Sequence, residues 1–202
     1  MDHIDFWFTT GSTYSFLTVM RLEAIAKTAN VSFHWRPFAG VRALTGAMPF
    51  PEGASKTRYM WRDIERRAAR YGIPLRLPVP YPSANLKLAN CVALLGMREG
   101  WGEQFVCASY RRWFQHGEEN GSETNLRFAL SECGQDFERV VMLSRGDTAQ
   151  HDLDAETEEA RRIGLFGAPS FVVQGEIFWG DDRLDDAINW FKHGRLGPSR
   201  QN

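Results

Sequence analysis

The sequence predicts an α/β fold in which a four-stranded mixed sheet is interrupted by a large all-helical insertion. Near the N-terminus a strand pattern, a helix pattern and a second strand pattern follow one another, an order that requires a right-handed crossover and a parallel strand pair. Near the C-terminus two short strand patterns are separated by Gln174-Gly175, a connection that suits a hairpin. Residues 55–163 show helical patterns and no strand pattern.

Length and charge limit the classes of function. With 202 residues, 43% of them hydrophobic, the chain can bury the core of one domain, with or without an insertion. The 24 Lys and Arg residues nearly balance the 25 Asp and Glu residues, so we expect no binding to nucleic acid or to an anionic membrane. The N-terminus lacks the features of a signal peptide and no apolar run reaches membrane-spanning length, which predicts a cytoplasmic protein.

The cysteines and histidines indicate neither a disulfide framework nor a metal site. Cys91, Cys107 and Cys133 are far apart and form no Cys-x-x-Cys pair, so we expect buried or idle thiols rather than a dithiol redox centre. The five histidines are scattered, and no two have the spacing of metal ligands along the chain. No metal is expected.

The N-terminal strand and helix meet at one serine. Residues 4–8 are rich in aromatics and predict a buried strand, and residues 9–11 break this run, with Gly11 permitting a tight turn. Ser12 then stands at the N-cap of a helix that extends to residue 29. Free N–H groups and the positive end of the helix dipole at this point favour an anion such as phosphate, carboxylate or thiolate. On these residues alone, a simple helix cap is the favoured interpretation of Ser12.

The next segments alternate between regular and irregular structure. Residues 31–36 have strand periodicity and end at Pro37, and residues 37–54 form an irregular stretch of a length that is often functional. A helix with a strongly cationic surface follows over residues 55–71; this surface either is simply solvated or faces an anionic ligand. Residues 73–82 contain four prolines, which predicts an extended connector.

The remaining patterns complete the fold. Helices are predicted over residues 84–100, 101–115, 123–133, 136–143 and 148–163. Strands follow at 170–173 and 176–179, and then a final helix, capped by Asp181 or Asp182 and ended by the glycines and proline between 194 and 198. This order is that of a thioredoxin-like fold, with residues 1–40 and 164–202 as the thioredoxin-like domain and residues 41–163 as the helical insertion.

Six short motifs, spread over nearly the whole chain, carry a family resemblance. They are Asp5-Phe-Trp-Phe, Ser12-x-x-Ser15-Phe-Leu, Arg36-Pro-Phe, Ser55-Lys-x-x-Tyr, Arg162-Ile-Gly-Leu-Phe-Gly-Ala-Pro-Ser-Phe-Val-Val and Trp179-Gly-Asp-Asp-Arg-Leu. Together they resemble the 2-hydroxychromene-2-carboxylate isomerases and the related kappa-class glutathione transferases, a glutathione-using branch of the thioredoxin-like disulfide oxidoreductase superfamily. Their order and spacing are more specific than any single motif.

The resemblance implies a glutathione site. Ser12 falls where redox relatives have their attacking cysteine and where the isomerases have a catalytic serine. Ala168–Pro169 falls at the position of a cis-proline whose neighbouring backbone pairs with glutathione. The residues implied to bind glutathione are Gly11, Lys56, Ala168, Pro169, Asp181, Asp182 and Arg183, with Lys56 near the glycyl carboxylate and the Asp182–Arg183 pair at the γ-glutamyl end. The family also implies a homodimer.

Three positions depart from the pattern of the family. Thr13 replaces the usual proline after the serine, Thr9 replaces an acidic residue near the end of the first strand, and the region of Met48 lacks a common asparagine. These departures predict altered contacts to the substrate more than to glutathione. Arg42, Asn85 and Asn90 are candidates by position for contacting the carboxylate of a small aromatic substrate.

The expected activity is the glutathione-dependent cis–trans isomerisation of a conjugated aromatic alkenyl pyruvate, in the degradation of aromatic compounds. The reaction needs a soft nucleophile that adds to the alkene, allows rotation and leaves. Two alternatives remain: a glutathione transferase or peroxidase that acts on electrophiles, and a non-catalytic thioredoxin-fold binding protein. Thiol–disulfide exchange is disfavoured because a serine stands where that chemistry needs a low-pKa cysteine.

Overall fold

The computed structural model describes residues 2–196 and contains one four-stranded mixed sheet. The strands are β1 (Ile4–Phe8), β2 (Phe33–Pro37), β3 (Ser170–Val173) and β4 (Glu176–Trp179), in the spatial order β2-β1-β3-β4. β1 pairs with β2 in parallel, whereas the β1–β3 and β3–β4 pairs are antiparallel. This arrangement confirms the predicted thioredoxin-like fold.

The second strand starts two residues later than its sequence pattern indicates. The N–H of Val31 bonds to the carbonyl of Ala26 at 3.1 Å, so this residue closes the end of the preceding helix instead of entering the sheet. The strand also includes Pro37, which lies opposite Phe8. A proline is tolerated here because β2 is an edge strand.

The two faces of β1 are both covered by packed residues. Ile4, Phe6 and Phe8 are fully buried on one face, where Phe6 stacks on Phe171 with ring centroids 5.5 Å apart. Alternation along the strand turns Trp7 to the other face. There it is buried with Ala160 in a smaller cluster. The site at the carboxyl end of β1 therefore rests on a strand held on both sides.

Seven helices join β2 to β3. They are α2 (Val41–Thr45), α3 (Ser55–Tyr71), α4 (Leu86–Glu99), α5 (Gly102–His116), α6 (Glu123–Glu132), α7 (Phe137–Arg145) and α8 (Asp147–Arg162). The sequence predicts all of them except α2, whose five residues are too few to show a helical repeat. Within residues 2–196, no helix is long and apolar enough to cross a bilayer.

The core continues from the sheet into the helical segment. The helix after β1, α1 (Thr13–Ala29), places Phe16 against Phe114 of α5, with the rings stacked 4.1 Å apart. Both residues belong to one cluster that also includes β1 and β3 side chains. The division into residues 1–40 with 164–202 and residues 41–163 stays a prediction, although the hydrophobic core crosses its boundary.

The last helix begins differently from the sequence prediction. A 3₁₀ turn over Asp181–Arg183 comes first, and α9 (Leu184–His193) follows it. Neither Asp181 nor Asp182 caps this helix with its side chain, so that prediction is wrong. Asp181 turns inward to donors on other helices instead. α9 ends at Gly194, whereas Gly197-Pro198 lies outside the described residues.

Candidate active site

Ser12 lies at the junction of β1, α1 and the turn before β3. Its side-chain oxygen accepts a hydrogen bond from the N–H of Ser15 at 3.1 Å, which confirms the predicted helix cap. The same hydroxyl donates to the carbonyl oxygen of Ala168, also at 3.1 Å. The Ala168–Pro169 peptide bond is cis, as predicted. The half-buried serine, the first turn of α1 and the Ala168 backbone thus form one group.

Three side chains from the helical segment fix the loop between β1 and α1. Asn90 of α4 accepts hydrogen bonds from the N–H of Thr10 at 2.9 Å and from its hydroxyl at 3.0 Å. Asn120 donates to the carbonyl of Thr10 at 2.9 Å. The Tyr110 hydroxyl of α5 lies 2.9 Å from the carbonyl of Thr9 and 3.0 Å from that of Ser12. The position of Ser12 therefore depends on residues far away in the sequence.

Asn90 is a structural residue in this arrangement. It is fully buried, and its amide nitrogen also donates to the Thr9 hydroxyl at 3.0 Å. Its polar atoms are thus already bonded to the loop, and a contact between Asn90 and substrate stays a prediction. The placement of Asn90 also explains why Thr9 is accommodated where the family has an acidic residue: the buried threonine bonds to the amide.

The two other substrate candidates are exposed and stay predictions. Arg42 lies on the surface of α2. Asn85 precedes α4 and makes no side-chain cap bond to that helix. The next residue, Leu86, lies against Gly11 so closely that a Cβ on the glycine would come 2.7 Å from its Cδ1 atom. Asn85 is therefore near the turn that leads into Ser12, and a side chain at position 11 would displace the Leu86 side chain.

Asp181 holds three helical segments together. Its carboxylate accepts hydrogen bonds from Thr18 at 2.9 Å, from Arg21 at 2.5 Å and from the hydroxyl of Tyr71 at 3.2 Å. The side chain is only 1% exposed. Burial, and then the charge of Asp181, raise the pKa of Tyr71 above its usual value, which keeps that hydroxyl a donor. The carboxylate of Asp181 is thus occupied within the protein, and the assignment of this residue to glutathione stays a prediction.

Asp182 and Arg183, in contrast, are exposed at the surface. The Arg183 guanidinium lies 3.6 Å from the Asp182 carboxylate and 3.1 Å from that of Asp186. Arg67 of the cationic helix α3 lies 4.0 Å from the Asp182 carboxylate. Both signs of charge are thus available where a zwitterionic group could bind, and the assignment of this pair to glutathione stays a prediction.

A polar network links the start of α1 to α3. The hydroxyl of Tyr14 donates to Asp63 at 3.1 Å, and Arg67 donates to the same carboxylate at 2.9 Å. Burial alone would raise the pKa of Asp63, but these hydrogen bonds and the Arg67 charge lower it below its usual value. The ring of Tyr14 lies 6.1 Å from that of Phe50, over which the exposed Lys56 ammonium sits at 5.1 Å. Lys56 is therefore connected to the α1 end of the site.

The cysteines are free and poorly suited to nucleophilic chemistry. Burial raises the pKa of all three thiols above the usual value. The pKa of Cys107 and that of Cys133 are each raised to about 11. These thiols are protonated at neutral pH, so none is an activated nucleophile of the kind that thiol–disulfide exchange uses.

The chain is similar to several known proteins over most of its length. The model of the DSBA-like thioredoxin domain matches residues 3–189. A 2-hydroxychromene-2-carboxylate isomerase from Sphingobium xenophagum is 31% identical over 186 residues, covering 90% of this chain and 94% of that protein. Glutathione S-transferase kappa 2 from Caenorhabditis elegans is 24% identical, covering 98% and 95% of the two chains.

Solved structures share the fold. A 2-hydroxychromene-2-carboxylate isomerase structure has a TM-score of 0.77 and 24% identity, covering 90% of each chain. The cytosolic disulfide reductase DsbM from Pseudomonas aeruginosa, solved with GSH, has a TM-score of 0.66 and 15% identity, covering 94% of this chain and 96% of its own. From the sequence matches, the chain belongs to the DSBA-like thioredoxin domain family, within its branch of 2-hydroxychromene-2-carboxylate isomerases and kappa-class glutathione transferases.

Proposed function

We propose that this protein is a glutathione-dependent cis–trans isomerase that acts on a conjugated aromatic alkenyl pyruvate in the degradation of aromatic compounds. The observation that carries the proposal is the position of the Ser12 hydroxyl, at the first turn of α1 and bonded to the backbone beside Pro169. The 31% identity to an isomerase over nearly the full length of both chains supports the reaction class.

The donor set at Ser12 fits a bound thiol. A hydroxyl carries one proton and can accept two hydrogen bonds, so Ser12 can go on accepting the N–H of Ser15 when its proton turns elsewhere. That proton now points to the carbonyl of Ala168. If a backbone N–H of the ligand bonds to this carbonyl, the Ser12 proton becomes free to donate to the sulfur. The helix cap and the interaction with sulfur are then compatible.

The first turn of α1 adds to the stabilisation of a negative sulfur. The unpaired N–H groups and the dipole at the start of a helix favour an anion by about 0.3–1 kcal/mol at an exposed site. A hydrogen bond from Ser12 to a charged sulfur contributes about 1.5–3 kcal/mol. Bound glutathione supplies the soft nucleophile that the isomerisation needs. The side chains of the protein hold glutathione, favour ionisation of its thiol and orient the alkene that accepts the thiolate.

Two sets of charged groups are assigned to the two ends of the tripeptide. We assign the γ-glutamyl group to Asp182 and Arg183, whose charges suit an ammonium and a carboxylate. Lys56 is assigned to the glycyl carboxylate, because it extends from the start of α3 and contacts Phe50 beside Tyr14. The cytoplasmic location and the homodimeric state stay predictions.

Calorimetry and paired assays test this function. We expect the protein to bind glutathione, Arg183→Ala to weaken binding without unfolding, and Arg195→Ala, which removes an exposed arginine beyond α9, to leave affinity unchanged. Turnover of a hydroxychromene carboxylate should exceed conjugation of chlorodinitrobenzene. Glutathione binding together with faster conjugation of chlorodinitrobenzene than turnover of the hydroxychromene carboxylate would indicate a glutathione transferase. Similarity to the kappa-class relative supports this alternative. Absence of glutathione binding would contradict the proposal and favour a binding protein.

A further inference from the structure

Three potential metal ligands converge at the N-terminal end of β1, away from Ser12. His3 and Asp5 are two residues apart and therefore project from the same side of the chain. His34 of β2 lies directly opposite Asp5 in the parallel pair. The ligand atoms of these three side chains all lie within 4.8 Å of one another. Adjacent strands thus bring together residues that are 31 positions apart in the sequence.

The separations suit a single small cation. His34 Nδ1 lies 3.0 Å and His3 Nε2 lies 3.6 Å from the same Asp5 carboxylate oxygen. Ligand atoms about 2.0–2.1 Å from a tetrahedral zinc ion are about 3.3 Å apart, which is between these two distances. Small rotations of the side chains would bring the three atoms into that geometry. The two imidazole rings are also edge to face, with centroids 5.2 Å apart, so neither blocks the other.

The cluster is accessible and its ligand types are selective. The side chains of His3 and His34 are 44% and 57% exposed, and that of Asp5 is 22% exposed, so an ion can enter from solvent. Two imidazoles and one carboxylate suit Zn²⁺ and its first-row neighbours rather than Mg²⁺ or Ca²⁺, which prefer oxygen ligands. The carboxylate between the imidazoles supplies the negative charge. Both imidazoles approach the same oxygen of Asp5, so the three side chains already converge on one point.

We propose that His3, Asp5 and His34 bind one divalent transition-metal ion such as Zn²⁺, with solvent in the fourth position. The expectation of no metal site rested on spacing along the chain, whereas these ligands come from two neighbouring strands. The proposal does not depend on glutathione binding, because the cluster and Ser12 lie at opposite ends of β1. A bound ion would fasten the start of the chain to the edge strand β2.

Metal titration of tag-free protein, stripped with EDTA and without glutathione, tests this proposal. We expect one equivalent of Zn²⁺ to bind saturably by calorimetry and to raise the melting temperature. His3→Ala, Asp5→Ala and His34→Ala should each weaken binding by about tenfold or more. His151→Ala, which removes an exposed histidine on α8, is the matched control and should bind as the wild type does.

Co²⁺ provides an independent readout of the ligands. We expect the visible d–d absorption of a nitrogen- and oxygen-ligated ion, without a thiolate charge-transfer band, and loss of this spectrum in His34→Ala. Each variant should melt as the wild type does in EDTA, which separates ligand loss from unfolding. No saturable binding, unchanged affinity in all three cluster variants, or a thiolate band pointing to the cysteines would overturn the proposal.

Discussion

The hydroxyl of Ser12 donates a hydrogen bond to the carbonyl of Ala168, 3.1 Å away, while its oxygen caps the helix that Ser12 begins. One oxygen atom therefore joins the start of α1 to the turn before β3. Because the acceptor and donor functions of a hydroxyl are separate, the cap can persist while the proton changes its partner. This relationship distinguishes a structural role of Ser12 from a role in ionising glutathione, and each role predicts different results.

Substitutions of Asn90 and Asn85 can distinguish a residue that stabilises the loop before Ser12 from one that binds substrate. Asn90→Ala leaves buried donors of Thr10 without an acceptor, and each unsatisfied buried group costs about 1–3 kcal/mol. We expect Asn90→Ala to lower the free energy of unfolding by about 3 kcal/mol, measured by urea denaturation. The exposed Asn85 caps nothing with its side chain, so Asn85→Ala should change stability by less than about 0.5 kcal/mol.

Kinetics complete the comparison of these two asparagines. If Asn85 contacts substrate, Asn85→Ala raises KM and changes kcat little. Asn90→Ala should lower kcat by displacing Ser12. A variant at position 90 with normal stability and a raised KM would instead indicate that Asn90 contacts substrate.

Asp181 and Asp182 are adjacent in sequence but have opposite environments. Asp181→Asn removes the charge that pairs with Arg21, and we expect a loss of about 2–3 kcal/mol in the free energy of unfolding. This is less than for a fully buried pair, because Arg21 is 20% exposed. Asp182→Asn should have an effect below about 0.5 kcal/mol on stability but weaken glutathione binding measured by calorimetry. Equal stability losses would contradict the division of roles between the two residues.

The sequence predicted the residues at the centre of the site but not the side chains that fix their positions. Ser12 and Ala168–Pro169 were identifiable because a strand–turn–helix pattern and a family motif mark them. Tyr110 carries a weaker signal: it is a tyrosine in a buried stripe of α5, which requires some partner for its hydroxyl. That the partners are the carbonyls of Thr9 and Ser12 depends on how α5 packs against α1, and no local pattern encodes that packing.

The wrong prediction of a helix cap at Asp181 and the unpredicted loop contacts of Asn90 have the same origin. An aspartate before a helix is a good cap in sequence terms, and an asparagine near the site is a plausible ligand. Tertiary contacts decide both cases. Arg21 and Tyr71 donate hydrogen bonds to the buried carboxylate of Asp181, and the N–H of Thr10 donates one to the side-chain oxygen of Asn90. Polar residues have several potential partners, so their partners are the least predictable feature of the site.

The thiols of Cys107 and Cys133 should react only at high pH. Because burial raises their pKa to about 11, the thiolate is a very small fraction near neutrality and grows as pH rises toward that value. We expect alkylation by iodoacetamide, followed by mass spectrometry, to accelerate about tenfold per pH unit between pH 8 and about 10. The urea-unfolded chain is the control and should react rapidly at all three cysteines. Rapid labelling of the native protein at pH 7 would reopen a thiol-based mechanism.

Substitution of Ser12 separates its two roles. Ser12→Ala removes the cap, which costs about 0.5–2 kcal/mol of stability whatever else the hydroxyl does. If Ser12 also donates to the sulfur of bound glutathione, loss of about 1.5–3 kcal/mol raises the pKa of that sulfur by roughly 1–2 units. Turnover at neutral pH should then fall by about one to two powers of ten and recover at higher pH, where the sulfur ionises without help.

Ser12→Asp is the matched variant, because aspartate caps a helix well but repels a negative sulfur. We expect it to retain stability better than Ser12→Ala while raising the pKa of bound glutathione at least as much. The measurement is the thiolate absorbance of bound glutathione, titrated with pH in the wild type and in both variants. Coincident titration curves for the wild type and Ser12→Ala would limit Ser12 to capping. A raised pKa in Ser12→Ala would show that ionisation of the sulfur depends on the hydroxyl, and a raised pKa in Ser12→Asp despite restored stability would show that an intact helix cap is not sufficient.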